Sequence, residues 1–124
     1  MNTEKTGGPG GNNSTAHTNL VREILNELGA RADCIVWQAR AGTYRFIHSD
    51  GVVCIDPVGI PDIVGITHGG RWILIEVKTG TGRLSKSQEA FRRNIEALGA
   101  TVCVARSTQD AVTYMDSINP KKAA

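Results

Sequence analysis

The chain has 124 residues, 40% of them hydrophobic and 21% charged, with a net charge of +2. That length holds one domain with a modest core. The balance permits nucleic-acid binding without requiring it. No apolar run reaches the length of a membrane span, and no charged segment followed by an apolar one marks a signal peptide, so no membrane partner and a cytoplasmic location are expected.

Taken in chain order, the first residues are rich in Gly and Asn (Gly7 to Ser14) and cannot bury much. Residues 1–15 are therefore read as a flexible tail, 16–118 as the folded domain and 119–124 as a frayed end. Leu20, Val21, Ile24, Leu25 and Leu28 recur at helical spacing, which predicts a first helix over 17–28, with Thr18 as its cap and Gly29 as its stop. Cys34 to Ala39 reads as a strand, Gly42 permits a turn, and Thr43 to Ile47 reads as a second short strand. Val52 to Ile55 fits either a strand or an apolar loop. Asp62 to Thr67 reads as a strand that Gly65 weakens, and His68-Gly69-Gly70-Arg71 as a hairpin turn. Trp72 to Thr79 is the clearest strand of the chain. Ser85 caps a helix that runs to Leu98 and stops at Gly99. Thr101 to Ala105 is a short strand, and Ser107 or Thr108 starts a last helix with Ala111, Val112 and Met115 on one side. A mixed β-sheet flanked by helices, in the α/β class, accounts for this order. Trp37 and Trp72 are assigned to the core. Cys34, Cys54 and Cys103 form no CxxC pair and read as buried thiols rather than a zinc site.

The chemistry gathers around two short segments, Gly59-Ile60-Pro61-Asp62 and Glu76-Val77-Lys78. Side chains alternate along a strand, so Ile73, Ile75 and Val77 face one way and Trp72, Leu74, Glu76 and Lys78 the other. Glu76 and Lys78 thus leave an apolar strand on one side, at its end, and buried charges need partners. Asp62 opens the neighbouring strand. Two carboxylates, joined by the main-chain carbonyl of Val77, suit a hard divalent cation with positions left for water and phosphate. A lysine beside them can orient or deprotonate the attacking water, or neutralise the phosphate. The alternative is a structural ion pair.

Six basic residues and two acidic ones fall between Arg71 and Arg93, a local balance of +4. Of these, Arg83 and Lys86 flank a helix start, where backbone N–H groups favour phosphate, and Lys86 and Arg93 can share one side of the helix. Arg40 points toward the same cleft from the end of the first strand. Arg45, Tyr44 and His48 lie in the segment hardest to read.

On Gly59-Ile60-Pro61-Asp62-Ile63-Val64-Gly65, Leu74-Ile75-Glu76-Val77-Lys78 and Leu84-Ser85-Lys86-Ser87-Gln88, the chain resembles the virus-type replication-repair nuclease domain family, VRR-NUC, of the PD-(D/E)xK superfamily. The resemblance covers about residues 17–115 and implies a restriction-endonuclease-like core. It implies that Asp62 and Glu76 bind Mg²⁺ (or Mn²⁺ in its place), that Lys78 assists hydrolysis, and that Gln88 lies near the active centre. It also implies an endodeoxyribonuclease that leaves a 5′-phosphate, acting as a homodimer on branched DNA in the manner of stand-alone phage and bacterial Holliday-junction resolvases. The family's first helix carries a further acid near its start. Here the matching slot falls near His17, which reads as a metal or phosphate ligand or as a solvated histidine; Glu23 and Glu27 are the nearest acids. Gln88 has a second reading as the closing member of a Ser85-x-x-Gln88 capping box. The competing functions are a non-catalytic DNA-binding module and a structural protein on the same fold.

Overall fold

The computed structural model describes residues 13–40, 43–45, 52–54 and 56–119, of which 13–14, 43–45 and 52–54 are described by their backbone alone. The residues before Asn13 and after Asn119, together with Gly42, Phe46, Ile47 and His48, lie outside it, as do the side chains of Tyr44, Arg45 and Cys54.

Helix α1 spans Asn13–Gly29. It starts ahead of the predicted His17 because Asn, Ser and Thr favour helix starts and Ala16 favours the helix interior, signals that apolar periodicity does not register. Asn13 to Thr15 therefore belong to the helix rather than the tail, and Thr18 is an interior residue rather than a cap. Val21, Ile24 and Leu28 form its buried stripe.

Strands β1 (Cys34–Gln38), β4 (Ile63–Thr67), β5 (Trp72–Val77) and β6 (Cys103–Ala105) form a four-stranded sheet in the order β1-β4-β5-β6, while β2 (Thr43–Arg45) and β3 (Val52–Cys54) pair separately. The β1–β4 and β4–β5 pairs are antiparallel and β5–β6 is parallel, so the sheet is mixed as expected. Val52 to Cys54 resolves as a strand, antiparallel to β2. Helix α2 (Lys86–Ala97) makes the crossover from β5 to β6, and α3 (Thr108–Ile118) follows β6. Among the described residues no helix is long and apolar enough to cross a membrane.

The alternation read from β5 is realised. Ile73, Ile75 and Val77 are fully buried with Val21, Ile24 and Leu28 of α1 and Ala111, Met115 and Ile118 of α3. Leu74 packs on the opposite face with Val64 and Val102, against Ile60 and Ile95 of α2. Gly65, which weakens the strand assignment from sequence, belongs in β4: a Cβ there would lie 2.2 Å from the Ile35 carbonyl oxygen, so only glycine lets β1 sit this close. The tryptophans depart from expectation. Trp37 is 47% and Trp72 52% exposed, because α2 covers only the middle of its face. Cys34 and Cys103 are free thiols, half-buried, and burial raises both above their ordinary pKa.

Two polar devices hold the helices to this frame. Arg31 forks onto Asp33 (2.9 and 2.8 Å) and reaches Asp116 at 3.0 Å, tying the end of α1 to α3. Asn119, assigned to the tail from sequence, follows α3 and donates its amide to Asp33. The second device stands where the next rung between β5 and β6 would fall. There the Tyr114 hydroxyl accepts from Leu74 N–H at 3.1 Å and donates to the Thr101 carbonyl at 2.8 Å. Tyr114→Phe leaves both backbone groups without this partner and is expected to cost about 1–3 kcal/mol, read from the midpoint of denaturant unfolding with an unchanged slope.

Candidate active site

Asp62 stands directly before β4 and is gripped from both sides. Its carbonyl accepts from Ala39 N–H at 2.8 Å, and its carboxylate Oδ2 accepts from Val77 N–H at 2.8 Å. His17, on the first turns of α1, brings Nε2 to 3.3 Å from the same Oδ2. In an extended strand a residue's N–H and C=O point to the same side. The Val77 carbonyl therefore aims toward Asp62 as well.

Glu76 lies on the α2 side of β5 and is only 3% exposed. Gln88 Nε2 donates to its Oε1 at 3.0 Å, and Lys78 Nζ lies 3.8 Å from that oxygen. Burial, then the nearby charge of Asp62 and a hydrogen bond shared with it, push the Glu76 carboxyl up to about 8, against the opposing pull of Lys78. Without a cation, then, the Glu76 carboxyl retains its proton at neutral pH.

Gln88 fills both of its sequence readings at once. Its Oε1 accepts from Ser85 N–H at 2.8 Å and its own N–H donates to Ser85 Oγ at 3.2 Å, which is the capping box. The other end of the same amide holds Glu76. The first turn of α2 is in turn seated on Gly59, which has φ +84°; a Cβ there would lie 2.2 Å from the Ser87 carbonyl oxygen and 3.1 Å from Gln88 N. The Gly59-Ile60-Pro61-Asp62 loop thus touches α2 at one end and supplies a carboxylate at the other.

Asp62, Glu76, Val77, Lys78, Gln88 and His17 therefore meet at one end of the sheet. The basic candidates are more dispersed. Arg83, Lys86 and Arg93 are exposed beside or along α2, and Arg92 pairs with Glu96 at 2.8 Å. Arg40 is exposed, and its backbone N–H is held by Asp56 at 2.8 Å. Glu23 and Glu27 are exposed. Ten residues of helix separate Glu27 from His17, roughly 15 Å, so Glu27 does not reach this end of the sheet. Sequence reading misses the seat at Gly59 and the Asp56 brace. It also misses Arg106, whose guanidinium donates to the carbonyls of Gly80 (3.1 Å) and Gly82 (2.7 Å). A glycine before Ile-Pro-Asp is the only available signal for the first; the other two join segments far apart in sequence.

The donor set fits a hard divalent cation. A buried carboxyl pushed upward beside a second carboxylate is the arrangement such an ion relieves, and oxygen donors suit magnesium or manganese. Among the described residues no group of three or more His, Cys, Asp or Glu side chains forms a ready-made metal cage. The pair Asp62 and Glu76, completed by the Val77 carbonyl, would instead leave room for water and phosphate oxygens.

No curated protein matches the chain. Residues 56–109 match the family model of the VRR-NUC domain, a span that holds Asp62, Glu76, Lys78, Gln88 and Arg106 but neither His17 nor Arg40. Its α/β architecture, with a mixed four-stranded sheet and three helices, is consistent with a PD-(D/E)xK-like nuclease core. The match agrees with the resemblance read from the sequence: over residues 56–109 the chain is similar to VRR-NUC domains, a family of nuclease-type modules for DNA processing.

Proposed function

We propose that the protein is an endodeoxyribonuclease that uses Mg²⁺, or Mn²⁺ in its place, to hydrolyse phosphodiester bonds in branched or junction DNA. The observation that carries the proposal is the buried Glu76 carboxyl, paired with Asp62 and flanked by Lys78 and Gln88 at the sheet end. Asp62, Glu76 and the Val77 carbonyl would hold the cation, which when bound would supply Lewis-acid polarisation of the scissile phosphate. Gln88 fixes the rotamer of Glu76. Lys78 faces the space beside Glu76, from which it can neutralise a phosphate oxygen or draw a proton from the attacking water. Water adds to phosphorus as the P–O3′ bond breaks, which leaves a 5′-phosphate. Arg83, Lys86 and Arg93 offer phosphate contacts along α2, with Arg40 and His17 at the other side of the notch. The nuclease unit runs from α1 to Asn119, residues 13–119, and a homodimer supplies the DNA contact surface that one small domain lacks.

A panel of four-way junctions, flaps and linear duplexes, incubated with Mg²⁺ or Mn²⁺ and run on denaturing gels, tests the proposal. Scission that favours branched substrates and stops on chelation supports it. Salt-dependent binding without scission in either metal replaces it with a non-catalytic DNA-binding module. Lys78→Ala is expected to slow single-turnover cleavage by roughly 10²-fold or more while DNA affinity stays within a few fold. Cleavage at the wild-type rate would remove Lys78 from the chemistry.

A further inference from the structure

We propose that Arg106 is a positioning residue that sets Lys78 in place through the Gly80–Gly82 loop, an inference that rests on the nuclease reading of Asp62, Glu76 and Lys78. Arg106 directly follows β6, whose last residue is bonded to the end of β5: Lys78 N–H donates to the Ala105 carbonyl at 3.0 Å. From there its guanidinium reaches across to the loop that leaves β5. One nitrogen donates to the Gly80 carbonyl at 3.1 Å and another to the Gly82 carbonyl at 2.7 Å. A planar fork can span two carbonyls in this way, which a lysine ammonium cannot match.

Gly82 also faces the Lys78 side chain. A Cβ built on it would stand 3.6 Å from Lys78 Cδ and 3.9 Å from Lys78 Cβ, so the loop passes beside the lysine stem with room for about one methyl group between them. The loop folds back to do this, with Gly82 N–H donating to the Thr79 carbonyl at 3.1 Å and Gly80 at φ +56°. The Lys78 side chain is only 18% exposed even though it follows the last residue of β5. Arg106 is itself anchored from α3: Asp110 Oδ2 accepts its backbone N–H at 2.9 Å, while Asp110 N–H caps onto Ser107 Oγ at 3.1 Å. The line of hydrogen bonds runs from the first turn of α3 through Arg106 to two carbonyls of the loop that passes beside Lys78. The loop is glycine at both tethered positions, so neither brings a side chain to hold its shape.

Two variants and one background test this. Arg106→Ala is expected to lower single-turnover cleavage at saturating DNA by roughly 10- to 100-fold, with the Kd for DNA unchanged within about twofold. Arg106→Lys recovers part of that loss. In a Lys78→Ala background, Arg106→Ala has no further effect, because the residue acts through the lysine. On the free protein, the ¹H–¹⁵N heteronuclear NOE of residues 79–83 falls in Arg106→Ala while the amides of β4 and β5 keep their wild-type values. Losses that add in the double variant, a weakened Kd at an unchanged cleavage rate, or an unchanged NOE in the loop each overturn the assignment. The NOE needs neither DNA nor metal. A wild-type protein that cuts no DNA therefore refutes the nuclease reading, while the loop measurement still decides the tether.

Discussion

Glu76→Gln is expected to abolish cleavage and, above pH 8, to make the metal-free protein more stable than wild type. Both effects have one cause. Glu76 is buried and faces Asp62, so its carboxyl holds a proton up to about 8, whereas in the unfolded chain it ionises in the ordinary carboxylate range. Between those limits the folded protein binds the extra proton. Wild-type stability therefore falls as pH rises through that window and levels off above it. Glutamine carries no charge to bury, keeps an oxygen for Gln88 Nε2, and removes the decline. Thermal unfolding across pH 5–9 measures it, at about 4–8 °C for each kcal/mol of relief. Added Mg²⁺ or Mn²⁺ should stabilise wild type and leave the variant unmoved, since a cation can replace the proton of Glu76 but cannot be held by the neutral amide of glutamine. A variant less stable than wild type above pH 8 would mean that Lys78 and Gln88 already satisfy an ionised Glu76.

Gly59→Ala should be the most damaging substitution outside the catalytic cluster. Glycine alone adopts φ +84° without strain, and an alanine methyl would sit 2.2 Å from the Ser87 carbonyl oxygen and 2.6 Å from its carbon. The left-handed backbone costs an L-residue about 1–2 kcal/mol. Overpacking adds about 1–3 kcal/mol, for about 2–5 kcal/mol together. Relief of the clash requires the first turn of α2 to move, and Gln88 leaves Glu76 with it. Cleavage should fall even though no acidic or basic residue has changed. Gly99→Ala is the control: Gly99 has φ +102° with nothing within 4 Å of an added methyl, so it bears the backbone strain without the clash. It should lose only the first of the two costs and retain cleavage. Equal behaviour of the two variants would show that Gly59 is not the seat of α2.

The features legible in the sequence are those written locally. Trp72 to Val77 announces a strand by its apolar run, and its alternation puts Glu76 and Lys78 on one face. Ser85 and Gln88 announce the start of α2 through their own capping chemistry. What stays hidden depends on contacts between distant segments. The capping box and the active-centre position of Gln88 look like rivals in sequence, since nothing local shows that one amide can serve both with opposite ends. Gly65 looks like a flaw because the Ile35 carbonyl that presses on it lies thirty residues earlier. Trp37 and Trp72 look like core because their apolarity is visible and the short reach of α2 is not. Helix α1 reads too short because its first turn is polar; His17, which meets Asp62, falls directly after that turn.

The central claim is that Asp62 and Glu76 together hold one hard cation in exchange for a proton. Calorimetric titration of Mn²⁺ into the metal-free protein near pH 7, repeated in buffers of different ionisation enthalpy, tests it directly. Saturable uptake with release of close to one proton, lost in both Asp62→Ala and Glu76→Gln, is the predicted result. Uptake of the same strength in either variant, or none in the wild type with or without DNA, would contradict it.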